Sequence, residues 1–177
     1  FEHALLETYN KSEIIIDHEN EEMIPISSKI LIDKMSFGWN LGNTLDAFNS
    51  SQNQGLESEI YWGNPETTEE MIIQIVSKGF KAIRIPVTWH NHLIDGRYTI
   101  CPKWMKRVKT VVDWSIKHGL YVILNTHHDN ADYVEKSSIK YGTGYYPLKK
   151  DMLESEKFLY NIWKQIATAF NNGYDEK

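Results

Sequence analysis

This sequence of 177 residues has a single cysteine, Cys101, which excludes an internal disulfide and any multi-cysteine metal site. It has no run approaching the roughly 18 apolar residues of a membrane-spanning helix. Neither a Gly-rich phosphate loop nor a Gly-x-Ser-x-Gly elbow occurs, so nucleotide binding and serine-hydrolase chemistry have no local signature. Positive charge is also short: 19 Lys and Arg stand against 24 Asp and Glu, a net charge of −5. Phosphate backbones demand clustered cations, which argues against nucleic acid, and none is expected as a partner. The basic residues Lys103, Lys106, Arg107 and Lys109 read as a solvated helix surface. The opening Phe1-Glu2-His3-Ala4 is neither an initiator sequence nor a signal peptide, which is expected of a chain that begins inside a longer precursor. Asn10-Lys11-Ser12 and Asn49-Ser50-Ser51 match the glycosylation sequon, which matters only in a secreted eukaryotic protein.

What is present in unusual amount is aromatic surface, with six Trp and ten Tyr. Such residues build cores, and they also make flat platforms for ligands with apolar faces such as sugars. Hydrophobic residues at 41% and charged residues at 24% otherwise describe an ordinary globular domain with room for a real core.

Residues 1–27 are polar and weakly periodic apart from Ile14-Ile15-Ile16, and read as an N-terminal extension or a cover over the bottom of a barrel. From residue 28 the pattern becomes regular. Ser28 to Met35 has helical spacing with Ser27 or Ser28 as N-cap. Phe37 to Asn43 alternates as a strand, with Gly38, Asn40 and Gly42 on one face and Phe37, Trp39 and Leu41 on the other. Residues 46–64 form a long polar loop. Thr67-Thr68-Glu69-Glu70 has capping-box chemistry ahead of the stripe Met71, Ile72, Ile75 and Val76, ended by Gly79. A second strand spans Phe80 to Val87. A helix opens at Pro102, carries Met105, Val108, Val111, Val112 and Ile116 inward, and ends at Gly119. A third strand spans Leu120 to Thr126, and a last helix runs from about Ser155 to Phe170, burying Leu159, Ile162, Ile166 and Phe170.

Strands alternating with helices through short helix-to-strand links specify parallel βαβ units. The long segments 44–64, 88–101 and 127–154 all follow strands, which places the elaborated loops at the strands' C-terminal ends. The fold class expected is α/β: the N-terminal portion, about three βα units, of a TIM (β/α)8 barrel. Three units in about 135 residues leave fewer than half the strands of a barrel, and unpaired edges on strands one and three need further protein to cover them. Residues 28–177 are therefore expected to be the first part of a barrel that is incomplete without more chain.

Polar groups gather at the strand exits. Phe80, Ala82, Arg84 and Pro86 share one face of strand two while Ile83, Ile85 and Val87 face helices, so Arg84 points inward near the top. A guanidinium there needs a partner, and a carboxylate at the centre of a site suits its fork of donors; an ordinary acidic neighbour would serve as well. Ile123, Asn125 and His127 share parity on strand three, which puts His127 in the interior layer of Arg84, with His128 and Asp129 just above it. A histidine at a strand end can be a satisfied hydrogen-bonding residue rather than a functional one. A metal site drawn from His90, His92, His127, His128 and Asp129 is the rival, but His90 and His92 lie in a segment read as flexible beyond Trp89, and no metal or other cofactor is expected.

Gly38-Trp39-Asn40-Leu41-Gly42-Asn43-Thr44-Leu45-Asp46, Trp62-Gly63-Asn64-Pro65, Gly79-Phe80-Lys81-Ala82-Ile83-Arg84-Ile85-Pro86-Val87-Thr88-Trp89 and Asn125-Thr126-His127-His128-Asp129 together resemble glycoside hydrolase family 5, closest to its bacterial and anaerobic-fungal endoglucanases. The likeness runs in order from about residue 28 to 171. It implies a retaining endo-β-1,4-glucanase on a TIM barrel, acting on cellulose or a related plant-wall polysaccharide, and a secreted location. By that resemblance Arg84 supports the nucleophilic Glu and His127 binds the sugar at the cleavage subsite. His128, Asn43, Trp62 and Trp89 become candidates for contacting sugar or bracing the site, with Trp62 and Trp89 equally readable as core. The family's acid/base Glu, after an Asn at the end of strand four, and its nucleophile, at the end of strand seven, would both lie beyond Lys177. Asp46, Asp129 and Asp132 do not match those positions. Partners implied are a β-glucan and the remaining part of the barrel, in the same or a separate chain. Two other classes stay open: a non-catalytic carbohydrate-binding protein built from a truncated barrel, and a metal-dependent hydrolase.

Overall fold

The computed structural model describes residues 26–49, 55–129 and 152–171; residues 1–25 of the expected 1–27 extension, the first sequon, Ser50 and Ser51 of the second, and Asp132 lie outside the described residues. Helix α1 (Ser28–Met35) starts where the sequence places it, with the Ser27 hydroxyl accepting from the Ile30 amide. Strand β1 covers Gly38–Asn40, β2 covers Ala82–Val87 and β3 covers Tyr121–Thr126. They form one parallel sheet in the order β1-β2-β3. Between them run α2 (Glu69–Ser77) and α3 (Pro102–Lys117), and α4 (Met152–Phe170) follows β3.

The helix ends follow from side-chain and glycine chemistry. Gly79 and Gly119 take φ of 91° and 84° after α2 and α3, a conformation in which a Cβ is costly. Pro102 stands in the first turn of α3, where its missing N–H leaves no bond unmade. At α2 the capping differs by one residue from the expected box. Thr68 is the cap and accepts from Met71 N at 3.4 Å, so the position three residues on is an apolar Met and no reciprocal carboxylate bond forms. Glu69 instead faces α3, accepting from Lys117 Nζ at 2.7 Å and His118 Nε2 at 2.8 Å.

The outward aliphatic face of β2 behaves as its alternation requires. Ile83, Ile85 and Val87 are wholly buried against Val108, Val111 and Val112 of α3, Ile72 of α2, and Phe158, Ile162 and Ile166 of α4. Each such side chain contributes about 1.5–3 kcal/mol by leaving water. The flanking strands are less covered. Trp39 on β1 and Ile123 on β3 are both 45% exposed, and Phe37 and Trp39 each pack edge-to-face on Phe80, at 5.2 and 5.4 Å.

Two segments read from sequence as solvated or flexible are buried and ordered. Arg107, expected on a surface, lies inside: its Nε and a terminal nitrogen donate to the two Glu59 carboxylate oxygens at 2.8 and 2.9 Å, and it donates to Thr67 O. Glu59 sits in a short 3-10 turn, Leu56–Ile60, within the expected loop and also accepts from Thr67 N at 2.8 Å. A fork of this kind satisfies both charges. His90–His92 form a second 3-10 turn. His92 stacks on Trp104 at 3.6 Å and hydrogen-bonds Ser58, while His90 packs against Asp129.

The Glu59–Arg107 fork gives a stability test. Arg107→Ala leaves a carboxylate buried with its partner gone and is expected to cost about 3–5 kcal/mol, measured as a lowered denaturation midpoint of the protein. Replacing both residues with Met and Leu should recover most of that loss. A single-variant cost below about 1 kcal/mol would show that the pair does not fasten the 46–64 loop to α3.

Candidate active site

Register explains how the polar residues meet. Asn40 on β1, Arg84 on β2 and Ile123 on β3 are lateral partners. His127 is therefore not in the layer of Arg84, as strand parity alone suggested, but four residues beyond Arg84's partner on β3. Side-chain length closes the gap. One terminal nitrogen of Arg84 donates to His127 Nδ1 at 3.0 Å and the other to Asn40 Oδ1 at 2.7 Å. The central strand thus reaches to both neighbours with one planar group. Gly42 makes room for this: a Cβ there would lie 2.7 Å from the Asn40 amide nitrogen, displacing the amide that holds the guanidinium.

An arginine can only donate. His127 Nδ1 is therefore an acceptor, and a neutral His127 carries its proton on Nε2. The electrostatics agree. Burial first, then the neighbouring His128 and Arg84 charges, hold His127 below its ordinary value of 6.5, against a weaker opposite pull from Asp46 and Asp129. The site presents a neutral imidazole with an N–H on its open side.

Three loops assemble the rest. After β1 the chain turns at Asn43, exposed and left-handed with φ of 62°, and brings Asp46 inward. Thr44 N donates to Asp46 Oδ1 at 3.0 Å, and the Thr88 hydroxyl donates to the Asp46 carbonyl at 2.8 Å. Asp46 is 2% exposed, with Oδ2 at 3.5 Å from His128 Nε2 and 3.9 Å from His127 Nε2. After β3, the Asp129 carboxylate accepts from Trp89 N and His90 N, both at 2.7 Å, and lies 3.1 Å from His90 Nδ1. It pins the exit of β2 to the exit of β3. Trp62, reached from the 46–64 loop, donates its indole N–H to Phe48 O at 2.9 Å and packs edge-on to His128 at 5.2 Å.

Of the residues singled out from sequence, Arg84, His127, His128 and Trp62 come together, and Trp62 keeps an exposed face. Asn43 is at the rim but makes none of these bonds. Trp89 takes the bracing and core reading of the two left open: it has no exposed surface and its indole donates to Asn125 O at 3.2 Å, which ties β2 to β3. The carboxylate expected beside Arg84 is not found among the described residues, where Asn40 and His127 take its hydrogen bonds. Asn40 and Asp46 were not foreseen as site residues, and Asp129 was placed above His127 and in the rival metal cluster but not as the tie between strand exits. Asn40 was legible, because it shares inward parity with Gly38 and Gly42; the directions of Asp46 and Asp129 depend on loop turns that no period reveals.

The sequence profile described as Cellulase (glycosyl hydrolase family 5) matches residues 42–176. The curated Endoglucanase B of Ruminococcus albus is 48% identical over 161 residues, which is 90% of this chain and 35% of that protein. Among solved structures, a family 5 lichenase from Caldicellulosiruptor sp. F32 in complex with cellotetraose superposes with a TM-score of 0.74 at 37% identity, covering 88% of this chain and 40% of the other. A broad-specificity endoglucanase from Clostridium longisporum superposes at 0.72 with 42% identity, covering 85% of this chain and 40% of that one. The chain thus spans about 35–40% of the length of these relatives, and its three parallel strands are the N-terminal portion of their TIM barrel.

The Arg84–His127 contact predicts a displaced titration. The His127 ring proton followed by NMR should titrate with a midpoint below 6.5, and Arg84→Met should move that midpoint upward by removing a like charge and a donor to Nδ1. Because the folded form resists protonation more than the unfolded chain, this histidine's contribution is complete above pH 6.5 and declines as pH falls from there through the lowered midpoint. A midpoint at or above 6.5 in the unmodified protein would contradict the burial and neighbouring charges assigned as its cause.

Proposed function

Because this chain belongs to the cellulases of glycosyl hydrolase family 5, we propose that it forms the first three βα units of a secreted, retaining endo-β-1,4-glucanase and builds one side of its substrate cleft. The observation that carries the reading is the guanidinium of Arg84 shared between Asn40 and His127 at the C-terminal ends of parallel strands, where barrels of this kind carry their chemistry. Retaining hydrolysis requires two carboxyl groups about 5–5.5 Å apart, one attacking the anomeric carbon and one serving as acid and then base. In this proposal both are glutamates from polypeptide beyond these residues, at the ends of strands four and seven. The buried acids in hand have other partners: Glu59 is held by Arg107, Asp129 by backbone amides, and Asp46 by Thr44.

Each residue then has a part. Arg84 has five N–H donors, and those not directed at Asn40 and His127 are available to hold an incoming carboxylate ionised and oriented as a nucleophile. His127, neutral with its proton on Nε2, donates to a sugar hydroxyl without adding a second positive charge beside Arg84. His128 and Trp62 form a wall against which the apolar C–H face of a pyranose packs. Positioning of this kind lowers the barrier by fixing the reacting groups in advance. β-Glucan is the substrate class that the cellotetraose-bound relative suggests.

Two measurements test the proposal. The 177 residues alone should release no reducing sugar from carboxymethylcellulose or lichenan, whereas co-expression with a segment that completes the barrel should restore hydrolysis. Activity in the isolated chain would sink the division of labour, and binding without hydrolysis after complementation would favour a non-catalytic glucan-binding protein. The two tryptophans should also separate. In the complete protein, Trp62→Ala should weaken cello-oligosaccharide binding by about tenfold, on the scale of one interface aromatic, with its melting temperature kept. Trp89→Ala should instead cost about 3–5 kcal/mol of stability.

A further inference from the structure

We propose that Asp46, His127 and His128 also form a binding site for a single divalent cation of the zinc class, seated on the floor of the cleft. One ligand atom from each of Asp46, His127 and His128 lies within 4.8 Å of the other two, with Asp46 Oδ2 facing the Nε2 atoms of both histidines. In a tetrahedral site with bonds of about 2.0–2.1 Å, ligand atoms stand about 3.3–3.4 Å apart. The Asp46–His128 pair at 3.5 Å is already near that spacing, and the Asp46–His127 pair at 3.9 Å needs to close by about half an ångström. Two imidazoles and a carboxylate are a donor set suited to zinc and its neighbours.

The site is also built rather than assembled by chance. Asp46 is almost fully buried, its Oδ1 is fixed by the Thr44 amide, and its backbone carbonyl is fixed by Thr88. That leaves Oδ2 directed at the imidazoles. His128 is set by the rings of Trp62 and Phe48, at 5.2 and 5.6 Å. Both histidines keep exposed surface, 30% for the His127 side chain and 21% for His128, so a cation can enter and retain an open position for water.

Arg84 opposes this occupancy. It donates to His127 Nδ1, and to ligate through Nε2 that imidazole must give up its proton or move it to the nitrogen facing the guanidinium. The fixed positive charge acts in the same sense. Arg84 therefore tunes the site toward weak, reversible binding, and its removal strengthens binding. Outer contacts of this kind commonly change metal affinity ten- to hundredfold. One consequence rests on the functional reading above: cation and saccharide compete, because both use Nε2 of His127 and a cation held by His128 occupies the wall against which the sugar packs.

The test is isothermal titration of the complete, tag-free protein with zinc chloride. Saturable one-to-one binding is expected, weakened at least tenfold in both Asp46→Asn and His128→Ala, unchanged in the remote His118→Gln, and tightened in Arg84→Met. Circular dichroism of each variant establishes that it is folded, and the partly exposed His128 provides a variant independent of the buried Asp46. Absence of one-to-one binding, persistence of binding in His128→Ala, or weakening in Arg84→Met overturns the proposal. A second titration with cellotetraose separates the two readings: zinc binding without competition keeps the metal site and removes the assigned sugar contacts.

Discussion

The organisation of the site depends on one permanently charged group that finds no carboxylate among the described residues. Arg84 stands on the central strand and reaches Asn40 on one side and His127 on the other. An arginine does not shed its proton to escape burial, so everything near it must adapt. Asn40 presents its oxygen, Gly42 stays small to let that amide in, and His127 becomes an acceptor at Nδ1. The same contact makes the imidazole a neutral donor toward the cleft, disfavours its protonation and resists a cation at its far nitrogen. A single geometric fact thereby sets tautomer, charge and selectivity together.

Around that group the acids divide their work by position. Asp129 links two strand exits through backbone amides; Glu59 fastens a long loop to a helix through Arg107; Asp46 stands behind two imidazoles. Each of these carboxylates already has its hydrogen-bond partners inside the fold. These acids suit architecture and orientation, which fits a proposal in which the reacting carboxyl groups arrive from the other strands of the barrel.

Much of this was legible in the sequence because the periods are physical. Alternation in 82–87 separates Arg84 from Ile83 and Ile85 without ambiguity, and glycines at 79 and 119 mark helix ends because the chain needs positive φ there. The failures have a common cause. Arg107 among lysines on one helix looks solvated until a glutamate 48 positions earlier in sequence folds beneath it, and Thr68 displaces Thr67 as cap because the entry angle of the chain decides which hydroxyl meets the amide. His127 was placed in the wrong layer because parity gives the face of a strand but not its register. Trp89 has the same side chain as a sugar platform; only the packing of β2 against β3 tells a brace from a binding surface.

Coverage of the sheet supplies the last step. β2 is buried along nearly its whole length while every residue of β1 is exposed. Lateral neighbours contribute to that difference. A strand edge leaves backbone groups to be paired, and among the described residues only the middle strand has a partner on both edges. Trp39 and Phe37 on one flank, and Ile123 on the inward face of β3, are side chains of a kind that leave water when a partner is present, each worth about 1.5–3 kcal/mol when buried. On the family relationship, the strands that would cover them are also those proposed to bring the two glutamates. Closing the barrel and completing the chemistry would then be the same event: the carboxylate needed by Arg84 would arrive on the polypeptide that removes the apolar flanks from solvent.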